Sequence, residues 1–188
     1  MKIYELNTDR LRLRQWTESD YTPFARLNAD PLVMEYFPAT LSTAESDSMA
    51  EKIKQRLSEH GWGFWASELK STGDFIGFVG LNPPKPELPF SPCVEIGWRL
   101  DRKFWGNGYA TEAGRATLDF AFGQLKLEQV VSFTSVLNRN SRAVMERLGM
   151  RDTGRNFMHP DIPVGHPLGE HVLYKIIRSS FTPLTFFN

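Results

Sequence analysis

The chain of 188 residues has a single cysteine, no excess of charge of either sign and no long apolar run. Because Cys93 stands alone, an intramolecular disulfide and a metal site built on paired cysteines are both excluded, and one thiol is typical of a reducing compartment. Lys and Arg together number 22, as do Asp and Glu, so no general attraction to nucleic acid or membranes is expected. No segment approaches membrane-spanning length, and no signal-peptide run is visible. We expect a cytoplasmic protein without a metal.

Length and composition predict one domain, residues 1–188, large enough to bury a sizeable core. Strand-like and helix-like segments alternate without internal repeats, which predicts a single mixed α/β sheet flanked by helices. Capping boxes at residues 17–20 and 42–45 predict two helix starts, and the proline-rich residues 83–92 predict a surface loop. The tail, residues 181–188, is apolar, and whether it packs on the domain or on a partner chain is left open, as is the choice between monomer and homodimer.

The most informative segment is a glycine-rich turn that joins a strand-like run, residues 93–100, to a helix-like run, residues 109–122. It reads Lys103-Phe104-Trp105-Gly106-Asn107-Gly108-Tyr109-Ala110. Backbone N–H groups in such a turn converge on one point, and the helix start adds partial positive charge, so the turn is suited to a diphosphate. Its spacing fits neither the dinucleotide fingerprint nor the P-loop. A hairpin turn is the simpler alternative, but it requires a second strand, which residues 109–122 do not resemble.

A second segment, residues 138–150, also follows a strand and starts a helix. Asn138 and Ser141 stand at its beginning. Both residue types cap helices, and capping alone would explain their presence.

Together the two segments resemble the GNAT acetyltransferases. The first resembles the Q/R-x-x-G-x-G/A pyrophosphate loop, with Lys103, Gly106, Gly108 and Ala110 in the pattern positions, although lysine departs from Gln/Arg. The second resembles the N-x-x-S…L-G-(F/M) element of the same superfamily. The resemblance covers nearly the whole chain and is closest to the branch of the ribosomal-protein-alanine N-acetyltransferases. It implies a mostly antiparallel sheet of about seven strands, with a V-shaped splay between strands four and five.

The resemblance also implies that acetyl-CoA binds in this splay as the co-substrate. Backbone groups of Trp98, Arg99 and Leu100 would pair with its pantetheine arm like an added strand. The diphosphate would be held by the turn, that is, by Lys103, Phe104, Trp105, Gly106, Asn107, Gly108, Tyr109 and Ala110. Asn138 and Ser141 would lie near the reactive end of the cofactor.

Direct transfer to an amine requires a base, stabilisation of an oxyanion and a donor for the departing thiolate. Glu95 is the candidate base, because strand alternation separates it from its apolar neighbours; the competing interpretation is an ordinary solvent-facing or ion-paired carboxylate. Ser141 matches the serine that this branch of the family uses at the thiolate, and we assign it a hydrogen-bonding role. Backbone N–H groups of residues 96–98 would serve the oxyanion.

Two other catalytic routes are left open. His159, His166 and His171 are alternative bases, since a loop that contains two of them could cover the cleft. Cys93 could form an acyl-enzyme, but it has no histidine neighbour in the sequence and a lone strand cysteine is more often a small buried apolar residue.

The acceptor is expected to be a primary amine, either a protein N-terminus, such as that of a ribosomal protein, or a small molecule such as an amino acid, a polyamine or an antibiotic. Aromatic candidates for acceptor binding are residues 36–38, Trp62 and residues 64–65. The alternatives from other functional classes are a non-catalytic acyl-CoA sensor and an ATP-binding protein. The second lacks a suitably placed Mg²⁺ ligand.

Overall fold

The computed structural model describes residues 2–84 and 86–183. Residues 184–188 of the apolar tail, and Lys85 in the proline-rich loop, lie outside the described residues. Within the described ranges the elements are β1 Leu6–Asn7, β2 Leu11–Arg14, α1 Tyr21–Ala29, α2 Thr43–His60, β3 Phe64–Leu69, β4 Phe75–Asn82, β5 Glu95–Leu100, α3 Tyr109–Gly123, β6 Gln129–Ser135, α4 Arg139–Arg147, β7 Arg151–Asp152, β8 Phe157–Met158 and β9 Glu170–Ile177.

All the strands belong to one sheet, ordered β1-β2-β3-β4-β5-β6-β9-β7, with β8 paired to β9. Neighbouring strands are antiparallel except β5 and β6, which run parallel and share one register pair, Glu95 with Val131. The expected mixed, mostly antiparallel sheet is confirmed, and the splay falls between the two predicted strands. The additional strands β1 and β8 have two residues each, too few for an alternating pattern to appear in the sequence.

Two hydrophobic clusters cover the two faces of the sheet. One contains Phe24 of α1 and Ile53 of α2, and the other packs the opposite face of the strands against α3 and Met145 of α4. Adjacent residues of β3, Trp65 and Ala66, belong to different clusters, because successive strand residues point to opposite faces. Within the two described ranges, no helix has both the length and the apolar character needed to cross a membrane.

The predicted capping box at the start of α2 is present. The Ser42 hydroxyl accepts a hydrogen bond from the Glu45 N–H at 3.3 Å, while the Glu45 carboxylate accepts one from the Ser42 N–H at 2.8 Å. At the other end, Gly61 adopts φ +77°, the left-handed conformation that ends many helices. Local signals therefore define both ends of the helix that supports one wall of the cleft described below.

Replacement of Ser42 by alanine is expected to lower the free energy of unfolding by about 1 kcal/mol, because an N-cap oxygen is lost. Urea unfolding followed by circular dichroism would measure the change. Ser48→Ala is the matched control, since Ser48 is exposed within the same helix and caps nothing. Equal effects of the two substitutions would contradict the role assigned to the cap.

Candidate active site

The divergence of β5 from β6 opens a cleft of about 1110 Å³. Strand residues form its floor, and its walls include the glycine-rich turn with the start of α3, the start of α4, the α1–α2 connection, and the connection between β8 and β9. The two segments singled out in the sequence therefore meet at one site, together with two loops.

The cleft-facing edge of β5 carries free backbone groups. Asp101 donates its N–H to Ile76 of β4 at 2.9 Å, and Arg99 is paired with Phe78 of β4. Because backbone groups alternate in direction along a strand, those of Arg99 face β4, whereas those of Trp98 and Leu100 face the cleft. The Leu100 carbonyl already accepts from the Trp105 indole at 2.9 Å. The edge can thus pair with an extended ligand at Trp98 and at the Leu100 N–H, but the expectation for the Arg99 backbone does not fit this geometry.

The glycine-rich turn has the conformation that a diphosphate site requires. Gly106 and Gly108 adopt φ +78° and +80°, a region that side chains strongly disfavour. A Cβ on Gly106 would meet no atom within 4 Å, so space for a ligand lies beside it. No side chain caps α3 at Gly108, and the first intrahelical bond runs from the Glu112 N–H to Gly108. The N–H groups of the first helical turn are thus left for an external acceptor, which fits an anionic cofactor.

Most of the predicted cofactor-binding residues line the cleft, namely Trp98, Arg99, Leu100, Phe104, Trp105, Gly106, Gly108, Tyr109, Ala110, Asn138 and Ser141. Lys103 and Asn107 are not among the lining residues. The Lys103 ammonium lies 3.9 Å from the Asp101 carboxylate, and the Asn107 amide donates to the carbonyls of Phe104 and Trp105 at 3.2 and 3.0 Å. Asn107 thus braces the turn from within.

The turn between β1 and β2 supports the glycine-rich segment. This support was not predicted from the sequence. Glu112 accepts hydrogen bonds from the Thr8 hydroxyl and from the N–H and side chain of Arg10. Burial raises the pKa of Glu112, but these donors outweigh it and hold the pKa below its usual value. The Arg10 guanidinium also lies 4.6 Å from the centre of the Tyr109 ring. About a hundred residues separate the partners, so no local pattern could have revealed them.

Asn138 caps α4, as the simpler interpretation of the sequence had it. Its side-chain oxygen accepts from the Ser141 N–H at 3.1 Å, and its amide donates to the Thr134 hydroxyl at 3.0 Å. The cap fixes the start of α4 at the cleft, and Ser141 lines that cleft. A contact between either side chain and the cofactor stays a prediction.

Glu95 lines the cleft and accepts a hydrogen bond from the Asn82 amide at 2.8 Å. Burial raises the pKa of Glu95 to about 7, although the Asn82 hydrogen bond and the charge of Arg56 act in the opposite direction. A carboxyl group with this pKa is half ionised near neutrality, as a general base needs to be.

Three of the alternative catalytic residues, His166, His171 and Cys93, have less suitable surroundings than Glu95. His159 and His171 line the cleft, but His166 does not. Burial lowers the pKa of His171 to about 4, which makes its imidazole a weak base. Cys93 lies outside the cleft lining, and burial together with the Glu95 charge raises the pKa of its thiol to about 11, so little thiolate forms at pH 7.

The aromatic acceptor candidates divide into cleft and core residues. Tyr36, Phe37 and Phe64 line the cleft, as does Pro38. Trp65 is fully buried and its indole donates to the Tyr4 carbonyl at 2.7 Å, so it belongs to the core. Trp62 is absent from the lining within the described residues and packs beside the core.

Residues 10–151 match the family model described as an acetyltransferase (GNAT) domain. The chain belongs to the GNAT acetyltransferase family. Those residues contain the glycine-rich turn, Glu95 and the start of α4, so the shared region includes the cleft. The predicted superfamily is confirmed.

Sequence relatives of this GNAT protein cover most of its length. The FsC-acetyl coenzyme A-N(2)-transacetylase of Aspergillus fumigatus is 32% identical over 94% of this chain and 77% of its own. The protein YkkB of Bacillus subtilis is 34% identical over 78% of this chain and 84% of its own. Family and relatives together make the chain an acetyl-CoA-dependent N-acetyltransferase.

Solved structures give the same fold. An acetyltransferase (GNAT family) from Bacillus anthracis has a TM-score of 0.78, with 24% identity over 94% of this chain and 99% of its own. The ribosomal-protein-S5-alanine acetyltransferase of Vibrio fischeri has a TM-score of 0.73, with 18% identity over 96% of this chain and 100% of its own. The expected resemblance to the ribosomal branch is therefore present. At 18% identity it shows a shared fold.

Replacement of Gly106 by valine is expected to weaken CoA binding about tenfold or more, because a valine would displace the backbone donors from a charged acceptor. Isothermal titration would give the affinity. Pantetheine, which lacks the diphosphate, should bind with nearly unchanged affinity.

Gly154→Val is the matched control, since Gly154 has φ +66° and a Cβ there also meets no atom within 4 Å. It carries similar backbone strain but lies outside the cleft lining. Unchanged CoA affinity in Gly106→Val would remove the turn from the cofactor site.

Proposed function

We propose that the protein transfers an acetyl group from acetyl-CoA directly to a neutral primary amine, with Glu95 as the general base. The observation that carries this proposal is the carboxyl group of Glu95, whose pKa is about 7 and which lines the same cleft as the glycine-rich turn. Bound acetyl-CoA would supply a thioester that an amine can attack.

Glu95 has a proton-accepting role matched to the energetics of the amine. An α-amine titrates near 8 and a lysine side chain near 10.4, so their neutralisation at pH 7 costs about 1.4 and about 4.6 kcal/mol respectively. A carboxylate with a pKa of about 7 can take the proton of an α-amine, directly or through one water, with little further cost. The lysine amine would require a stronger base. We therefore favour an amine of low pKa as the acceptor.

Stabilisation of the oxyanion and of the departing sulfur is assigned to groups on either side of the splay. The Trp98 N–H belongs to the free edge of β5 and would stabilise developing negative charge on the reacting oxygen. The Ser141 hydroxyl, at the start of α4, would donate a hydrogen bond to the departing sulfur. Its high pKa makes full proton transfer less favourable than hydrogen bonding, so we assign it the second role.

Two acceptor classes have support. A protein N-terminus is favoured by the shared fold with an enzyme named for acetylation of ribosomal-protein alanine. A small-molecule amine is favoured by the relative named a coenzyme A-N(2)-transacetylase, which is 32% identical over nearly the whole chain. Both classes present a primary amine to the same cleft.

The proposal is tested by acetyl-CoA consumption with a panel of peptide N-termini and small amines, in which free CoA thiol is measured. We expect at least one primary amine to release CoA in proportion to its acetylated product. Tight acetyl-CoA binding without turnover on any amine would favour the non-catalytic sensor instead.

Replacement of Glu95 by glutamine is expected to lower kcat about 100-fold, the usual contribution of a general base. In the native protein, kcat/KM should fall as the pH drops through about 7, because Glu95 becomes protonated. In the variant, kcat/KM should no longer fall through protonation of Glu95. Only the fall caused by protonation of the amine should remain. CoA affinity should not change.

Glu170→Gln is the matched control, because Glu170 also accepts from an asparagine amide, that of Asn156 at 2.7 Å, but lies outside the cleft lining. Folding raises the pKa of Glu95 to about 7, so the free energy of unfolding falls as the pH rises toward this value and Glu95 has to ionise in the folded protein. Glu95→Gln should therefore be at least as stable as the native protein at pH 8. An unchanged pH–rate profile in this variant would exclude Glu95 from the mechanism.

A further inference from the structure

Arg99 places a positive charge in the cleft wall without an acidic partner. Arg99 lines the cleft and is only 8% exposed. No carboxylate within residues 2–84 and 86–183 forms an ion pair with it, and burial alone lowers its pKa, to about 10. The guanidinium is therefore still charged at pH 7. A buried charge without a counter-ion is costly, which suggests that a ligand supplies one.

A chain of buried polar groups holds the guanidinium in place. Nη1 of Arg99 donates to the Asn28 side-chain oxygen at 2.7 Å, and the Asn28 amide donates to the Ser46 hydroxyl at 2.9 Å. Asn28 and Ser46 are fully buried, in α1 and α2. The Phe37 ring lies 4.2 Å from the guanidinium carbon. The orientation of Arg99 is thus fixed before any ligand arrives, which reduces the entropy cost of binding.

One edge of the guanidinium is unused. Nε is buried and has no hydrogen-bond partner, and Nη2 donates to no acceptor in the described part of the chain. Nε–H and Nη2–H point in the same direction and form the two-pronged edge that matches the two oxygens of a carboxylate. Because Nη1 is directed to α1 and Nε is closed to solvent, a carboxylate would reach this edge from the side of Nη2.

Arg99 and Glu95 lie on the same face of β5. They are four residues apart, so about 13 Å separates their Cα atoms. Gly97 stands between them, and a Cβ there would approach the Phe64 ring to 3.2 Å, so a side chain at this position would narrow the cleft floor. An acceptor whose amine lies at Glu95 can therefore extend along the floor to Arg99.

We propose that Arg99 is a specificity-determining residue that binds a carboxylate of the acceptor. The acceptor is then a primary amine that carries a carboxylate several ångströms from the amine. This inference rests on the proposed function, because it assumes that the amine reacts beside Glu95.

The test uses glycine oligomers as a ruler, because their α-amine has a low pKa and each added residue moves the carboxylate by roughly 3.5 Å. Diglycine, triglycine and tetraglycine are compared with their C-terminal amides. Binding to the CoA-saturated protein is measured by isothermal titration, and turnover by release of CoA thiol from acetyl-CoA. The proteins are the native chain, Arg99→Met, Arg99→Lys and Arg26→Met. Arg26 is the control because it is exposed on α1 and is not among the lining residues.

For one oligomer length, we expect the acid to bind at least about tenfold more tightly than the amide. This is the range of a hydrogen bond to a charged group. This ratio should fall to about one in Arg99→Met, recover in part in Arg99→Lys and stay unchanged in Arg26→Met. CoA affinity and the binding of the amides should be the same in all four proteins.

Three results would overturn the inference. The first is that the native protein binds acid and amide equally at every length, or binds no acid at all. The second is that the preference for the acid persists in Arg99→Met. The third is that Arg99→Met loses affinity for acid and amide equally, which would make Arg99 structural. Turnover of amides or of other amines alongside any of these would leave the proposed acetyl transfer standing. A weaker CoA affinity in Arg99→Met would assign the charge to the cofactor.

Discussion

The single register pair between β5 and β6 is the constraint on which the site depends. The strands are held together at Glu95 and Val131 and diverge beyond that point, so the sheet continues through β4 on one side and β9 on the other while a cleft opens between. The divergence leaves backbone groups of Trp98 and Leu100 without a strand partner. It also places the starts of α3 and α4 opposite each other, so one irregularity in a sheet creates both the cofactor edge and the cleft.

The burial of Glu95 and Arg99 in the cleft carries a cost that folding has to offset. Burial raises the pKa of Glu95 and lowers that of Arg99, so in each case the charged form is the disfavoured one. Each has an asparagine amide group as a hydrogen-bond partner, Asn82 for Glu95 and Asn28 for Arg99, and within the described residues neither forms an ion pair. Neutral partners fix the geometry of a charged group while leaving its charge available to a ligand. Such arrangements are typical of functional sites.

Much of this architecture could be predicted from local sequence patterns. The capping box at Ser42, the strand and helix on either side of the glycine-rich turn, and the cap at Asn138 depend on a few adjacent residues, and all are present. The tertiary environment could not be predicted in this way. The brace from Thr8 and Arg10 to Glu112 joins residues about a hundred positions apart. The direction of the Arg99 backbone depends on the register with β4, which the sequence of β5 does not contain.

We assign cofactor binding to backbone N–H groups of β5 and of the glycine-rich turn, and amide hydrogen exchange reports on each of these groups. Exchange would be measured with and without CoA, and with pantetheine in a third sample. CoA is expected to slow exchange at Leu100 and through residues 106–111, whereas pantetheine is expected to protect only Leu100. Amides of α2, which lie away from the proposed contacts, should not change. Equal exchange at Leu100 and in residues 106–111 with and without saturating CoA would exclude these N–H groups from cofactor binding.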